Sequence, residues 1–305
     1  MVGTIVLGTR GSELARAQTQ LVEVAIRSAS PDVTIETSII ATQGDKTRVV
    51  DPRAGRKGLF TAEIERVLVA RDVDIAVHSA KDLPSETTLG AEIAAVLPRA
   101  PINDVLISKR PGGLGSLPRG AIVATGSVRR KQQLLWKRPD LKLVDLRGNV
   151  PTRLRKLAEH NWHAIVLARA GLQRLGMSPN AKINFQGRAF FCDILPLQTF
   201  LPAGGQGIIA LQIRAGDDRT RAIVDLVNHQ DTFLCLEAER QFLRALHGDC
   251  NCPVGVLAEI KDGRMRMRAQ VFTGDAAALR QAEVAGPCNE GDKLAAELLR
   301  RMDED

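Results

Sequence analysis

Arginine grips carboxylates because its planar guanidinium donates two parallel hydrogen bonds at once. The chain sets Arg129 and Arg130 side by side after Thr125-Gly126-Ser127, and it carries Arg10, Arg147 and Arg153 at or near the ends of other apolar runs. Jointly they could clamp several carboxylates. Lys81-Asp82 follows the run Asp74–Val77 closely and precedes Leu83-Pro84. A carboxylate beside basic groups can stabilise a cation or shuttle a proton; it can equally cap a turn. His78, between them, reads as a packed core histidine. The loop Gly248-Asp249-Cys250-Asn251-Cys252-Pro253 frames a thiol with Gly and Pro, so Cys250 is a candidate nucleophile or attachment point. Cys250, Cys252 and His247 make at most half a zinc site, since structural zinc takes four ligands and no second pair stands at suitable spacing. Inert buried thiols are the other reading. Gly204-Gly205-Gln206-Gly207 matches neither a dinucleotide fingerprint nor a Walker A loop. It reads as a turn approaching a ligand or as a linker between domains.

The elements that must position these residues alternate. Gly3–Leu7 reads as a strand, Ser12 as the cap of a helix with Leu14, Leu21 and Ala25 in helical spacing, and Val33–Ala41 as a strand. Gln43–Lys57 is a long polar loop, of the length that often serves as a lid. A helix over Leu59–Ala70 and a strand over Asp74–Val77 follow, and Pro98 and Pro101 bracket a hinge. The pattern then repeats: strands at Ala121–Ala124, Leu141–Val144 and Ala164–Leu167, helices at Val128–Trp136 and Pro151–His160, the latter capped by Asn149. Ile208–Ile213 is a further strand. Beyond Asp231 come a helix (Phe233–Leu246), the Cys loop, a strand (Met265–Phe272) and a last helix (Asp292–Arg301). Alternation of this kind predicts parallel α/β sheets with ligands in crevices beyond the strand ends, followed by a small α+β domain.

Composition narrows the field. The 305 residues are 44% apolar and 25% charged, which suits about two or three globular domains. Ten aromatics in the whole chain, with no Tyr, argue against a nucleic-acid binder built on stacking platforms. No run is apolar enough to cross a membrane, and the opening MVGTIVLGTRGSE lacks the basic start of a secretory signal. Five cysteines, an odd count, read as reduced thiols in the cytoplasm. The net charge of +7 is local: residues 121–170 hold eleven Arg and Lys against three acids. Such a zone attracts anions.

The segments GTRGSELARAQT, TQGDK, KGLFTAEIE, DIAVHSAKDLP, ATGSVRRKQQL, LRGNVPTRLRKL, LARAGLQRLG, LPAGGQG and GDCNCPVG occur in that order. Together, over about residues 3–260, they resemble the porphobilinogen deaminase (hydroxymethylbilane synthase) family. The resemblance implies two α/β domains like the halves of a type II periplasmic-binding-protein fold, at 1–98 with 206–226 and at 103–201, and a small α+β attachment domain at 230–305. It implies a cytoplasmic monomer of porphyrin, hence haem, biosynthesis: a transferase that joins four porphobilinogen molecules head to tail, releasing ammonia, with no nucleic-acid or membrane partner. The chain would grow on a dipyrromethane cofactor held by a thioether to Cys250, not Cys252.

Each pyrrole ring carries an acetate and a propionate, so the growing chain is a polyanion, and a concentrated arginine site without phosphate motifs suits it. By the resemblance, Lys81, Asp82, Ser127, Arg129, Arg130, Arg147 and Gly148 would hold the cofactor. Arg10, Ser12, Phe60, Arg153, Arg174, Gln206 and Gly207 would meet the substrate, with 43–57 as a lid. Asp82 would face the pyrrole nitrogens, stabilise the cationic azafulvene left by ammonia loss and relay the proton shed on coupling. Three departures stand out. Asp249 replaces the second of two glycines before the attachment cysteine, where its charge could raise the Cys250 pKa or it could adopt the same turn. Arg53 stands where Lys is usual in the lid, and an insertion of about eight residues falls within Met177–Phe200.

Overall fold

The computed structural model describes residues 3–42, 61–246, 253–273 and 278–304. Phe60, the expected lid 43–57, and the loop with Asp249, Cys250 and Cys252 lie outside them. The first sheet holds β1 (Ile5–Arg10), β2 (Ile35–Ile40), β3 (Ile75–Ser79), β4 (Ala91–Val96) and β11 (Ile209–Arg214), in the order β2-β1-β3-β11-β4. The second holds β5 (Asp104–Ser108), β6 (Ile122–Ala124), β7 (Lys142–Val144), β8 (Ala164–Ala168), β9 (Lys182–Phe185) and β10 (Arg188–Ile194), in the order β7-β6-β8-β5-β10-β9. The third is an antiparallel meander of β12 (Val254–Lys261), β13 (Arg264–Thr273) and β14 (Ala278–Pro287).

The α/β class holds, but both large sheets are mixed rather than parallel. β1 runs parallel to β2 and β3, and β6 to β7 and β8. β11 runs against β3 and β4, and β5 against β8 and β10. β5 and β11 are the strands that enter their sheets directly from a crossing, without the helical return that keeps consecutive strands parallel. Within 177–200, β9 and β10 form a hairpin added to the sheet edge. Its two-residue turn, Gln186-Gly187, takes positive φ at both positions (48° and 75°), as the right-handed twist of a tight hairpin requires.

Helices cover the sheets with one apolar face. In α1 (Glu13–Ala29) the buried positions are Ala15, Gln18, Thr19, Val22 and Ile26, a helical spacing, and the Ser12 hydroxyl accepts from Ala15 N–H at 3.2 Å as the expected cap. Asn149 caps α4 (Val150–Glu159) in the same way, accepting from Thr152 N–H at 3.0 Å. α2 (Ala62–Val69), α3 (Val128–Lys137), α5 (Arg169–Arg174) and α6 (Asp218–Asp225) complete the large units. α7 (Gln230–Ala245) and α8 (Gly291–Glu304) pack on the third sheet around Phe242, Met265, Met267 and Leu298. β13 alternates Met265, Met267 and Ala269 inward with Arg264, Arg266 and Arg268 outward. β12 and β14, which flank it, are absent from the sequence reading.

The chain crosses between the large units twice, at 97–103 and 195–208. A buried ion pair ties both crossings to the third unit. Arg99 lies between the hinge prolines and meets Glu239 of α7 at 2.7 Å and 3.2 Å. The fully buried Glu239 also accepts from Gly205 N–H at 2.7 Å and Ala258 N–H at 2.8 Å. Arg99 Nε donates to Gln206 O at 2.9 Å. Removing one partner of such a pair strands the others without water. Glu239→Ala is expected to cost roughly 3–5 kcal/mol, read as a lowered urea or thermal transition. A loss below about 1 kcal/mol, the value of an exposed pair, would show that the clamp is not structural.

Candidate functional site

The site forms where β3 ends. After Ser79 the chain turns through one short 3-10 helix, Ala80–Asp82. Ala80 is buried and donates its N–H to Ile208 O at 3.0 Å, while Asp82 is exposed. The crossing segment lies against this turn. Gly205 has φ +73°, and a Cβ there would sit 3.0 Å from Ala80 and from the Lys81 backbone nitrogen; at Gly207 (φ +88°) one would sit 2.4 Å from Ala100 O. Both glycines are needed for the backbone to approach. A small cavity opens there, lined by Leu14, Ser79, Lys81, Ala168, Arg174 and Ile208 among others.

Behind it lies a buried cluster of charge. Asp104 opens β5 and is 1% exposed. Its Oδ1 accepts from Arg130 Nη2 at 2.7 Å and from Gln206 Nε2 at 2.9 Å; its Oδ2 accepts from Arg129 Nη1 at 2.9 Å. Arg129 Nη1 also donates to Gln133 Oε1 and Leu201 O, and Arg130 Nη1 to Val166 O. Gln206 Oε1 accepts from Lys81 Nζ at 3.3 Å. Burial alone would push the Asp104 carboxyl up, but the guanidinium groups of Arg129 and Arg130 hold it well below the usual carboxylate range. Burial, with Arg130 adding repulsion, lowers Lys81 to about 8.

Lys81, Arg129, Arg130 and Gln206 are thus brought together. Arg174 and Gly207 adjoin them: Arg174 Nη2 donates to Gly207 O at 2.6 Å, and burial lowers its pKa to about 10. Ser127 caps α3, accepting from Arg130 N–H at 3.4 Å, so it fixes where the arginine pair begins. Arg10 ends β1 and Ser12 starts α1. Arg147, Gly148 and Arg153 form a second group at the start of α4, with Arg153 Nε donating to Gly148 O at 2.6 Å. Gln206 is 1% exposed, and its amide is engaged by Ile102 O, Asp104 and Lys81.

Two residues of the network are absent from the sequence reading. Asp104 carries a signal, since a carboxylate opening the apolar run VLIS demands a buried partner. Glu239 carries none, because its partners, the Arg99 guanidinium and two backbone N–H groups, lie far away in sequence or on the main chain. His78 is the core histidine expected: its Nε2 lies 3.1 Å from Gln212 Oε1, and burial lowers it to about 4. Burial raises the Cys192 thiol to about 11 and Cys235 to about 12, which leaves neither much thiolate. Among the described residues no group of three or more His, Cys, Asp or Glu is placed to hold a metal ion.

A cation cluster at the crossing between two α/β units, with a cavity at its edge, has the charge that an anionic small molecule would meet. A family model for the porphobilinogen deaminase dipyrromethane cofactor binding domain matches residues 5–222, and one for the porphobilinogen deaminase C-terminal domain matches 233–304. The chain is 45% identical over 270 residues to the porphobilinogen deaminase of Syntrophomonas wolfei, covering 88% of this chain and 85% of that protein. It is 40% identical over 297 residues to that of Thermus thermophilus, covering 97% and 94%. The chain belongs to the porphobilinogen deaminase family, the hydroxymethylbilane synthases of tetrapyrrole biosynthesis, and it is an enzyme. Among solved structures, it resembles the periplasmic VFT2 domain of BvgS from Bordetella pertussis (13% identity, TM-score 0.44, 73% of this chain and 86% of that one). It also resembles the BenM effector-binding domain with benzoate (13%, 0.43, 74% and 90%). Those likenesses are distant, and nothing further rests on them.

The residues present suit a group rich in carboxylates. Three cations surround the one buried carboxylate of Asp104. Such groups are costly unless an anion completes them. Lys81 gives the pH signature. Its pKa lies below the ordinary 10.5, so the unfolded chain holds that proton longer, and stability rises with pH between about 8 and 10.5. Carboxylate binding runs the other way, since the ammonium charge is lost above about 8. Primer loading of the unprimed protein, followed by intact mass, is expected to slow as pH rises through about 8, and Lys81→Arg to move that fall to higher pH. A wild-type rate flat across pH 8 would show that the Lys81 charge is not used.

Proposed function

We propose that this enzyme joins four porphobilinogen molecules into hydroxymethylbilane, releasing ammonia at each addition, and that the Asp104-centred cation cluster is part of the surface holding the acetate and propionate groups. That cluster is the observation that carries the reading. It is buried, and its positive charge exceeds its negative. A nucleic-acid surface would instead spread its charge over exposed residues.

In this reading Lys81, Ser127, Arg129, Arg130, Arg147 and Gly148 bind the cofactor, and Arg10, Ser12, Phe60, Arg153, Arg174, Gln206 and Gly207 serve the substrate, with 43–57 as the lid. The thiol of Cys250 holds the dipyrromethane as a thioether, the buried thiols of Cys192 and Cys235 being poor candidates. Bound there, the dipyrromethane supplies the primer from which the chain of rings grows. Asp82 is exposed at the end of β3, beside Lys81. Its carboxylate stabilises the positive charge that develops on porphobilinogen as the bond to ammonia breaks. It then takes the proton that the coupled ring sheds. Arg129, Arg130 and Lys81 hold ring carboxylates and orient them, without entering the proton transfer.

The division into 1–98 with 206–226, 103–201 and 230–305 follows the three sheets, with the crossings as hinges. We place the enzyme in the cytoplasm as a monomer, on the odd cysteine count and the family resemblance. Among the described residues no helix is long and apolar enough to cross a membrane.

Asp82→Ala is expected to lower kcat by about 100-fold or more with the thermal transition unchanged; unchanged turnover would remove Asp82 from the chemistry. Protein made in a haem-producing host should carry the mass of one dipyrromethane and colour with Ehrlich's reagent. Cys250→Ser should abolish both, and Cys252→Ser neither. If Cys252→Ser is the variant that loses the adduct, the attachment site is misassigned.

A further inference from the structure

We propose that Asp104 is a positioning residue for the carboxylate-binding arginines. Its carboxylate takes one donor from each guanidinium and one from Gln206, and so fixes which N–H groups are left to meet ligand carboxylates. The inference rests on the reading of Arg129 and Arg130 given above.

The carboxylate itself is fully committed. Oδ1 carries two donors and Oδ2 one, and the side chain has no exposed area. It therefore does not touch substrate. Its backbone is fixed from both sides: Asp104 pairs with Ala168 across the sheet, and its carbonyl accepts from Leu195 N–H at 2.9 Å. Each arginine is held at one end of its fork. Arg129 Nη1 is spent on Asp104, Gln133 and Leu201 O; Arg130 gives Nη2 to Asp104 and Nη1 to Val166 O. The Nε atoms of both are buried, so a ligand carboxylate would meet the small exposed part of each side chain, 5% for Arg129 and 8% for Arg130. A guanidinium is a planar fork, so fixing one edge fixes the direction of the other. The same carboxylate reaches Lys81 through Gln206. A cation of the first unit and two of the second are thereby set against one fixed reference.

The alternative is that Asp104 only offsets buried positive charge. The two ideas differ in sign. Asp104→Asn removes a negative charge from a cation cluster, so by charge alone carboxylates should bind more tightly; by positioning they should bind less well. Asp104→Glu keeps the charge and moves the carboxylate by one methylene, so it tests geometry in a variant whose ion pairs survive.

Wild type and both variants would be produced in a haem-making host, and the primed fraction read by intact mass. Melting curves would report folding, and porphobilinogen kinetics would be measured on the primed molecules. We expect folded protein in at least Asp104→Glu, with the primed fraction lowered about tenfold or more. That is the scale of one charge-assisted hydrogen bond. KM should rise more than kcat falls. A smaller fall in both variants, or a KM that drops in Asp104→Asn, overturns the proposal. Failure of both variants to fold also overturns it and leaves Asp104 a structural ion-pair partner. Bare wild-type protein would count against the cofactor assignment itself, which keeps the two failures apart.

Discussion

Positive charge taken out of water must be answered by something, and the centre of this molecule is arranged around that constraint. A buried guanidinium or ammonium costs several kcal/mol unless it finds an anion and enough acceptors. Arg129 and Arg130 find Asp104, Val166 O, Leu201 O and Gln133. The answer is incomplete: one buried carboxylate stands among three cations, and burial, with the Arg130 charge added, lowers the Lys81 pKa. A stable core would gain by losing one of those cations. Their retention is intelligible once the missing negative charge belongs to a ligand rather than to the protein.

The same residues explain how three units can share one site. Gln206 lies on the second crossing and belongs to two networks. Its side chain bridges Lys81 to Asp104, and its carbonyl accepts from Arg99, which is held in turn by Glu239. The segment leading to β12 is fixed from the same place, since Val256 N–H donates to Pro202 O at 3.0 Å and a Cβ on Gly255 would meet Leu201 at 2.8 Å. The third unit is therefore seated against the crossing that carries Gln206.

Much of this was legible in the residues, for identifiable reasons. Helix caps are local chemistry, and Ser12 and Asn149 were readable because a side-chain oxygen before an amphipathic run has one obvious use. The clustering of Arg129, Arg130 and Lys81 followed from α/β topology, which brings strand ends together. Strand direction was not legible: alternation implies parallel neighbours only when each strand returns through a helix, and β5 and β11 arrive by a crossing. β12 and β14 also went unread, although β12 opens on the buried apolar run VGVLA. Asp104 opens the apolar run VLIS and so signals a buried partner, but the partners, 25 and more positions away, carry no local mark that identifies them. Glu239 was unreadable in principle, its acceptors serving two backbone N–H groups that no side-chain pattern announces.

The placement of Asp82 shows why burial and chemistry are divided along one short turn. Ala80 is packed, Lys81 is half-buried and Asp82 is exposed, all within a single 3-10 helix. A carboxylate sunk into the cluster would pair with the nearest guanidinium and be lost to the reaction, as Asp104 is. Asp82 stands at the rim and is exposed, where the proposed proton transfer would need it. The crossing segment enforces the division, because Gly205 lies against Ala80 and the Lys81 backbone and leaves no room for the turn to sink. Under the proposals above the two aspartates take opposite roles through placement alone: the buried one would orient the arginines, and the exposed one would face the reacting rings.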